Sequence, residues 1–391
     1  MTRTVIIRPY VVLPTEGGSN DRYVSLCRKL IEAGAAPELL CSDFIHNAKR
    51  RRSAAEIAKT ANSLPFVTCL PAPAYKGNIS LGRIFYEIVF GGRALWNMMR
   101  KPRPDVLLVG EPLFGVGWMM LLYGFLFRVP VVADLIDLWP EADTEKRGGF
   151  LRHAVYAILK TSRNLRLHAY RAVSFVSRSY RDALGFGDGD VFYWGSELRP
   201  QAEHAPPGQP LTVIYAGSFG VGYDIVTVLQ AAAMLKDRAP GRFRFRLAGL
   251  GPQLPEVERA KARGDIDYLG MLDAAQLGEA YRTADIGLLP YRAGSAVAMP
   301  IKFYDYLNFG LYVVGSGTME SRDIMLRERI GNAYRAGDAE DLVRCLLQID
   351  EAAILRAREA CAKLAGEYSI DRQYGRFARF VLNHARRADP S

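Results

Sequence analysis

MPIKFYDYLNFGLYVVG, residues 299–315, reads as a short helix, a glycine stop and a buried strand. The strand LYVVG (311–315) lacks polar alternation, the pattern of a parallel sheet covered on both faces. Pro300 suits the first turn of a helix, where its missing N–H costs nothing. Lys302 then stands beside free amide donors, where a cation is out of place unless an anion joins it. Asp305 follows one turn later on the same face. An exposed Lys–Asp ion pair would explain the charges too, but it stabilises a helix by only a few tenths of a kcal/mol. Phe303, Tyr304, Tyr306, Leu307 and Phe309 leave little polar surface for it. The pattern therefore points to a helix start that meets an anionic ligand. A diphosphate can lie against Lys302 and the helix amides, and Asp305 can accept from a vicinal diol such as a ribose.

Working outward, short Val/Ile/Leu runs alternate with amphipathic stretches, which predicts parallel sheets with crossover helices. The strands expected in the first half are 4–8, 38–42, 66–70, 105–109, 129–133 and 172–176. Those in the second half are 211–216, 244–248, 266–270, 285–290 and 311–315. SELRPQAEHAPPGQP (196–210) separates the halves with the composition of a linker. The fold class read from this is α/β, two Rossmann-like domains facing a cleft. The expected limits are 1–198 for the first domain, 199–210 for the linker and 211–368 for the second. A C-terminal helix over 369–391, with Tyr374, Phe377, Phe380 and Val381 as its apolar stripe, is expected to pack back on the first domain.

In open α/β sheets ligands bind beyond the carboxyl ends of the strands. Three of those ends in the second half carry glycine. YAGSFGVGYD places Gly217, Ser218, Gly220 and Gly222 between a strand and a helix. LAGLGP places Gly249 and Gly251 after the next strand, and DYLG ends at Gly270. Glycine there lets backbone N–H groups approach a phosphate. No Walker lysine follows, which argues against ATP hydrolysis.

On these residues, PIKFYDYLNFGLYVV resembles the nucleotide-sugar motif of GT-B glycosyltransferases, especially family 4, written P-x-K-x-x-E-x-x-x-x-G-x-P-V-V. The resemblance implies a donor site built from Gly217, Ser218, Gly220, Gly249, Gly251, Gly270, Pro300, Lys302 and Asp305. Asp305 stands where the family has its second glutamate, Val297 where it has its first, and Tyr312 in place of the proline before the strand. EGGSNDRY resembles the family's glycine-rich loop, which implies that Gly17 and Gly18 lie near the donor diphosphate. VVADLIDLWPEA resembles a segment of members that build bacterial surface polysaccharides. There Asp137 is the candidate catalytic base, or the group that orients an acceptor hydroxyl. A turn or capping aspartate before Trp139–Pro140 reads equally well. The expected activity is transfer of a sugar from a nucleoside-diphosphate-sugar to a saccharide or polyprenyl-diphosphate-saccharide acceptor, with retention. A nucleotide-sugar epimerase and a non-enzymatic two-lobed sugar-binding protein stay open as alternatives.

The charge is uneven. Residues 1–200 hold 27 Lys and Arg against 18 Asp and Glu, whereas the remainder is nearly balanced. That favours an anionic membrane surface as partner of the first half. No nucleic-acid motif accompanies it. In LGRIFYEIVFGGRALWNMMRK (81–101), Leu81, Ile84, Phe85, Ile88, Leu95 and Met99 form a stripe expected to face the core. Tyr86, Val89, Phe90 and Trp96, among basic residues, form a second, expected to meet lipid headgroups or to be buried as well. KRRR (49–52) is a candidate for added attraction. Leu113–Phe127, the longest apolar run, is too short to span a bilayer and is expected to be a buried helix. Five scattered cysteines without a CxxC pair fit a reducing compartment. The start of the chain does not read as a signal peptide, so a cytoplasmic protein, peripheral on the inner face of the cell membrane, is expected. Neither a metal nor a cofactor is expected. His153 and His168 fall on a basic helix and read as surface or packing residues.

Overall fold

The computed structural model describes residues 1–16, 21–46, 48–77, 80–113, 115–139, 150–198, 206–317 and 319–386. The chain forms two compact units. One comprises Met1–Trp194 with Ile370–Ser391, the other Gly195–Ser369.

The first unit carries a parallel sheet of β1 (Arg3–Ile7), β2 (Ala36–Ser42), β3 (Val67–Leu70), β4 (Val106–Glu111), β5 (Val131–Leu135), β6 (Ala172–Phe175) and β7 (Asp190–Val191). Their spatial order is β3-β2-β1-β4-β5-β6-β7. Ile6 is opposite Leu39 on one side and Leu108 on the other. The central strands are apolar along their length because helices cover both faces. The chain also adds a two-stranded antiparallel hairpin, Phe44–Ile45 with Arg50–Arg51.

Two acids interrupt this apolar interior, and both are fully paired. Asp134 of β5 receives Nε and NH2 of Arg22 at 2.7 and 2.9 Å, the Tyr23 hydroxyl at 3.0 Å and the Ser174 hydroxyl at 2.8 Å. Glu111 of β4 receives Arg166 at 2.9 and 3.1 Å, the Tyr170 hydroxyl at 2.7 Å and the Leu113 amide at 2.6 Å. Arg22 opens α1 (Arg22–Glu32), whose N-cap Asp21 accepts from the Tyr23 and Val24 amides. Its guanidinium also lies over the rings of Trp194, Tyr374 and Phe377. Tyr374 and Phe377 belong to the C-terminal helix Ile370–Asn383, which packs on α1 within this unit. Tyr374, Phe377, Phe380 and Val381 are buried there, each contributing about 1.5–3 kcal/mol of transfer free energy.

Next come the helices α2 (Leu81–Met99), α3 (Val116–Phe127) and α4 (Phe150–Ala169), and the first two correct the expected helix faces. The stripe of α2 expected in the core is turned outward, with Leu81 84% and Phe85 59% exposed. Tyr86 and Phe90 are buried instead, while Trp96 stays exposed. The cause is an inward polar pair. Glu87 accepts from the Tyr10 hydroxyl at 2.7 Å and lies 3.5 Å from Arg83, so both charges can follow Tyr86 inward. Tyr86 then joins Tyr10, Phe44 and Tyr75 in one aromatic cluster. Nor is α3 a buried helix: Trp118, Leu122, Phe125 and Leu126 are exposed. In the run KRRR, Lys49, Arg50 and Arg51 are exposed, and Arg52 alone turns inward. Arg52 is buried on Glu16 and the Ser42 and Val11 carbonyls, and Arg50 pairs with Glu56 at 2.7 Å.

The second unit carries β8 (Leu211–Ala216), β9 (Phe243–Ala248), β10 (Asp267–Tyr268), β11 (Ile286–Leu289), β12 (Tyr312–Gly315) and β13 (Gly331–Ala333). All are parallel, in the order β10-β9-β8-β11-β12-β13. Tyr306 fits against β11 because Gly287 has no side chain; a Cβ there would fall 2.6 Å from the ring. The expected linker falls partly outside the described residues.

Asp134→Ala leaves a buried guanidinium without its carboxylate. The expected loss is about 3–5 kcal/mol from the stability of the first unit. The double variant Arg22→Met/Asp134→Leu should recover most of it, with both read from denaturant titration of the whole chain.

Candidate functional site

In the second unit, β8 ends at Ala216 and the chain reaches α5 (Ile225–Arg238) through Gly217–Asp224. This turn is locked to the tip of β9. The Gly217 amide donates to Ala248 at 2.9 Å, and the Phe219 amide to Leu250 at 2.8 Å. Gly249, at φ +135°, lies so close that a Cβ would overlap the Gly217 carbonyl. A Cβ on Gly251 would fall 2.5 Å from the Phe219 carbonyl carbon. Gly249 donates in turn to the Gly270 carbonyl at 2.8 Å, which links the third strand end to the other two. Ser218 lies exposed at the crest, its hydroxyl accepting from the Gly220 amide at 3.0 Å.

Lys302 reaches this turn from α6 (Ile301–Asn308), whose N-cap is Pro300. A Cβ on Gly217 would come 2.5 Å from Lys302 Nζ, so the ammonium occupies the space that the glycine leaves open. Nζ lies 4.8 Å from the centre of the Tyr223 ring and 5.3 Å from that of Tyr215. Among the described residues Lys302 has no carboxylate partner, so the exposed Lys–Asp pair weighed from the sequence is not formed. Asp305 is half-buried one turn further on, near Tyr281. Burial chiefly, and then Asp305, push the Tyr281 phenol well up. Val297 lies half-buried in the loop before α6, its amide 3.4 Å from the Ser295 hydroxyl.

Sequence reasoning missed the side chains that shape this turn. The Tyr215 hydroxyl donates to the Ser218 carbonyl at 2.7 Å. Gln253 Nε2 donates to the carbonyls of Gly220 at 2.8 Å and Tyr223 at 3.0 Å. The available signal was a tyrosine on each side of the glycine turn, and an amide two residues after Gly251.

In the first unit, Asp137 follows β5 and lines a pocket of about 420 Å³ with Arg8, Tyr10, His46, Arg83 and Trp139. Burial, with Lys49, Arg83 and Arg8 nearby, holds the His46 imidazole down to about 4. Burial pushes its partner Tyr75 up to about 12. The Tyr75 hydroxyl and His46 Nδ1 share a hydrogen bond. Gly17 and Gly18 lie outside the described residues. His153 and His168 are exposed on α4.

The fold is that of GT-B glycosyltransferases, α/β with two Rossmann-like domains. Residues 210–351 match the family model described as glycosyl transferases group 1. Comparison with curated protein sequences gives no match. Sucrose-phosphate synthase from Thermosynechococcus elongatus is similar at TM-score 0.68 and 15% identity, covering 98% of this chain and 100% of that one. Anabaena Alr3699/HepE in complex with UDP-glucose is similar at TM-score 0.62 and 14% identity, with coverages of 98% and 100%. WaaG, a glycosyltransferase involved in lipopolysaccharide biosynthesis, is similar at TM-score 0.65 and 10% identity, with coverages of 97% and 99%.

Gly249→Ala sets a methyl group against the Gly217 carbonyl at a φ that L-residues rarely adopt. It should destabilise the second unit by roughly 2–4 kcal/mol. Gly270→Ala, at φ +73° with open space around it, should cost only about 1–2 kcal/mol. Urea unfolding followed by a second-unit probe separates the two.

Proposed function

We propose that the protein is a glycosyltransferase of the family 4 kind. It moves a hexosyl group from a nucleoside-diphosphate-sugar, with retention, to a lipid-linked saccharide in surface-polysaccharide assembly. The observation that carries this reading is the Lys302 ammonium, held between two tyrosine rings over Gly217 with no carboxylate partner among the described residues. Such a cation at the carboxyl edge of a parallel sheet suits a diphosphate. The group 1 match over 210–351 and the UDP-glucose complex of Alr3699/HepE support a nucleotide-sugar as donor.

In this reading Lys302 and the amides of the glycine turn take the diphosphate oxygens, and Asp305 accepts from the ribose hydroxyls. The acceptor oxygen forms its bond to the anomeric carbon as the bond from that carbon to the diphosphate breaks. Lys302 offsets the charge left on the departing nucleotide. The acceptor proton passes to the departing phosphate oxygen on the same face, so Asp137 orients the acceptor hydroxyl. No cofactor or metal is assigned to this scheme.

The helices of the first unit support a peripheral place on an anionic membrane. Among the described residues no helix is long and apolar enough to cross one. Yet α2 and α3 pack on each other and both expose large apolar side chains, among them Phe85, Trp96, Leu122 and Phe125. Arg93, Arg100 and Lys101 stand exposed beside them. Apolar side chains bordered by cations fit the headgroup region of anionic lipid. The lipopolysaccharide role of WaaG supports the same setting.

Two measurements test the proposal. Isothermal titration with UDP and GDP should show Asp305→Ala weakening the better ligand by about 1.5–3 kcal/mol; unchanged affinity removes the role assigned to Asp305. In flotation with vesicles containing phosphatidylglycerol, the wild-type chain should rise with the lipid. Leu122→Ser/Phe125→Ser should largely stay behind, and equal flotation would sink the membrane assignment.

A further inference from the structure

Arg8 has no role in the scheme above, and its surroundings are unusual for a guanidinium. It directly follows β1 and is only 8% exposed. Among the described residues it makes one hydrogen bond, from NH1 to the Gly110 carbonyl at 2.9 Å, and no ion pair. Its Nε is buried without a hydrogen-bond partner. A guanidinium carries five N–H donors and keeps its charge at any working pH. Here the buried Nε–H has no acceptor, and among the described residues the guanidinium is met by the Tyr10 ring at 5.4 Å and by no carboxylate, a costly burial that an anion would offset.

The pocket that Arg8 lines is where such an anion would enter. It opens at the carboxyl end of β1 beside β4, the two strands from which the sheet grows in opposite directions. That is the switch point at which open α/β sheets take ligands. Arg83, paired with Glu87, adds a second guanidinium to the wall, and His46 adds its imidazole. The three come from separate elements: the end of β1, helix α2 and the segment after Phe44–Ile45. Donors spread in this way suit a tetrahedral oxyanion better than a planar carboxylate. Asp137, in the same lining, suits a hydroxyl.

We propose that this pocket binds a phosphoryl group of the acceptor, with the Arg8 guanidinium donating to its oxygens. The acceptor's identity rests on the glycosyltransferase reading; the phosphoryl site does not. Either a soluble sugar phosphate or a lipid diphosphate could supply this chemistry.

Isothermal titration of the full chain with UDP comes first, then with glucose 1-phosphate and with farnesyl diphosphate, each in the presence and absence of excess UDP. At least one of the two probes should bind in both conditions. Arg8→Gln should weaken it about 10–100-fold while leaving UDP affinity intact. Tighter binding of glucose 1-phosphate assigns the site to a soluble sugar phosphate, and tighter binding of farnesyl diphosphate to a lipid diphosphate. Binding of neither, or equal affinity in wild type and Arg8→Gln, overturns the proposal, as does equally tight binding of glucuronic acid. If Arg8→Gln does not fold, Val12→Trp at the exposed rim fills the same space. Probe affinity retained in that variant overturns the proposal too. Failure of UDP to bind counts against the donor reading alone, because the UDP-free titrations still report on the pocket.

Discussion

A carboxylate inside a parallel strand obliges everything around it to conform. Asp134 has no access to water, so its oxygens must be satisfied by protein donors. Arg22, Tyr23 and Ser174 meet that demand from α1 and β6. Arg22 is itself buried, and it takes the Tyr193 carbonyl at 3.3 Å and three aromatic faces as further neighbours. The first helix, two central strands and the C-terminal helix are thereby fixed around one ion pair. Such a pair adds little net stability over an apolar substitute, but breaking it from one side is expensive. Its effect is on which elements may sit together.

The second unit solves a different problem, the approach of backbone to backbone. Where the turn after β8 meets the tip of β9, Gly249 and Gly251 leave room for main chain alone. Gly217 leaves room for an ammonium brought by another helix. Removing side chains at these points is what allows Lys302 to stand at the sheet edge rather than in solvent. Tyr215 and Tyr223 then flank it, and among the described residues no carboxylate pairs with it.

Much of this was legible in the sequence because parallel strands announce themselves. Buried on both faces, they read as uninterrupted Val/Ile/Leu, and every predicted strand is found within a few residues of its place. The glycines of the turn were legible for the same reason: few other uses explain glycine at three successive strand ends. The helices were less readable. On α2 the polar Arg83 and Glu87 lie inward because they neutralise each other and hydrogen-bond Tyr10, so a pattern that sorts charged from apolar chooses the wrong face. On α3 every position is apolar or glycine, apart from one tyrosine, and periodicity offers no choice at all. Arg8 looked like the last residue of a strand. Its meaning lies in hydrogen bonds that it fails to make, and no pattern of letters records those.

Arg3 and Arg386, far apart in sequence, meet at one residue. The Arg3 amide donates to the Asp105 carboxylate at 2.8 Å, and the Arg386 amide to the Asp105 carbonyl at 2.9 Å. The unit begun first is therefore finished last during vectorial synthesis. While the ribosome is still making residues 195–369, Arg22 lacks the rings of Tyr374 and Phe377, and α1 lacks its cover. The nascent amino-terminal half must wait with an open flank until the final helix emerges, whereas the later unit, contiguous in sequence, can close before it.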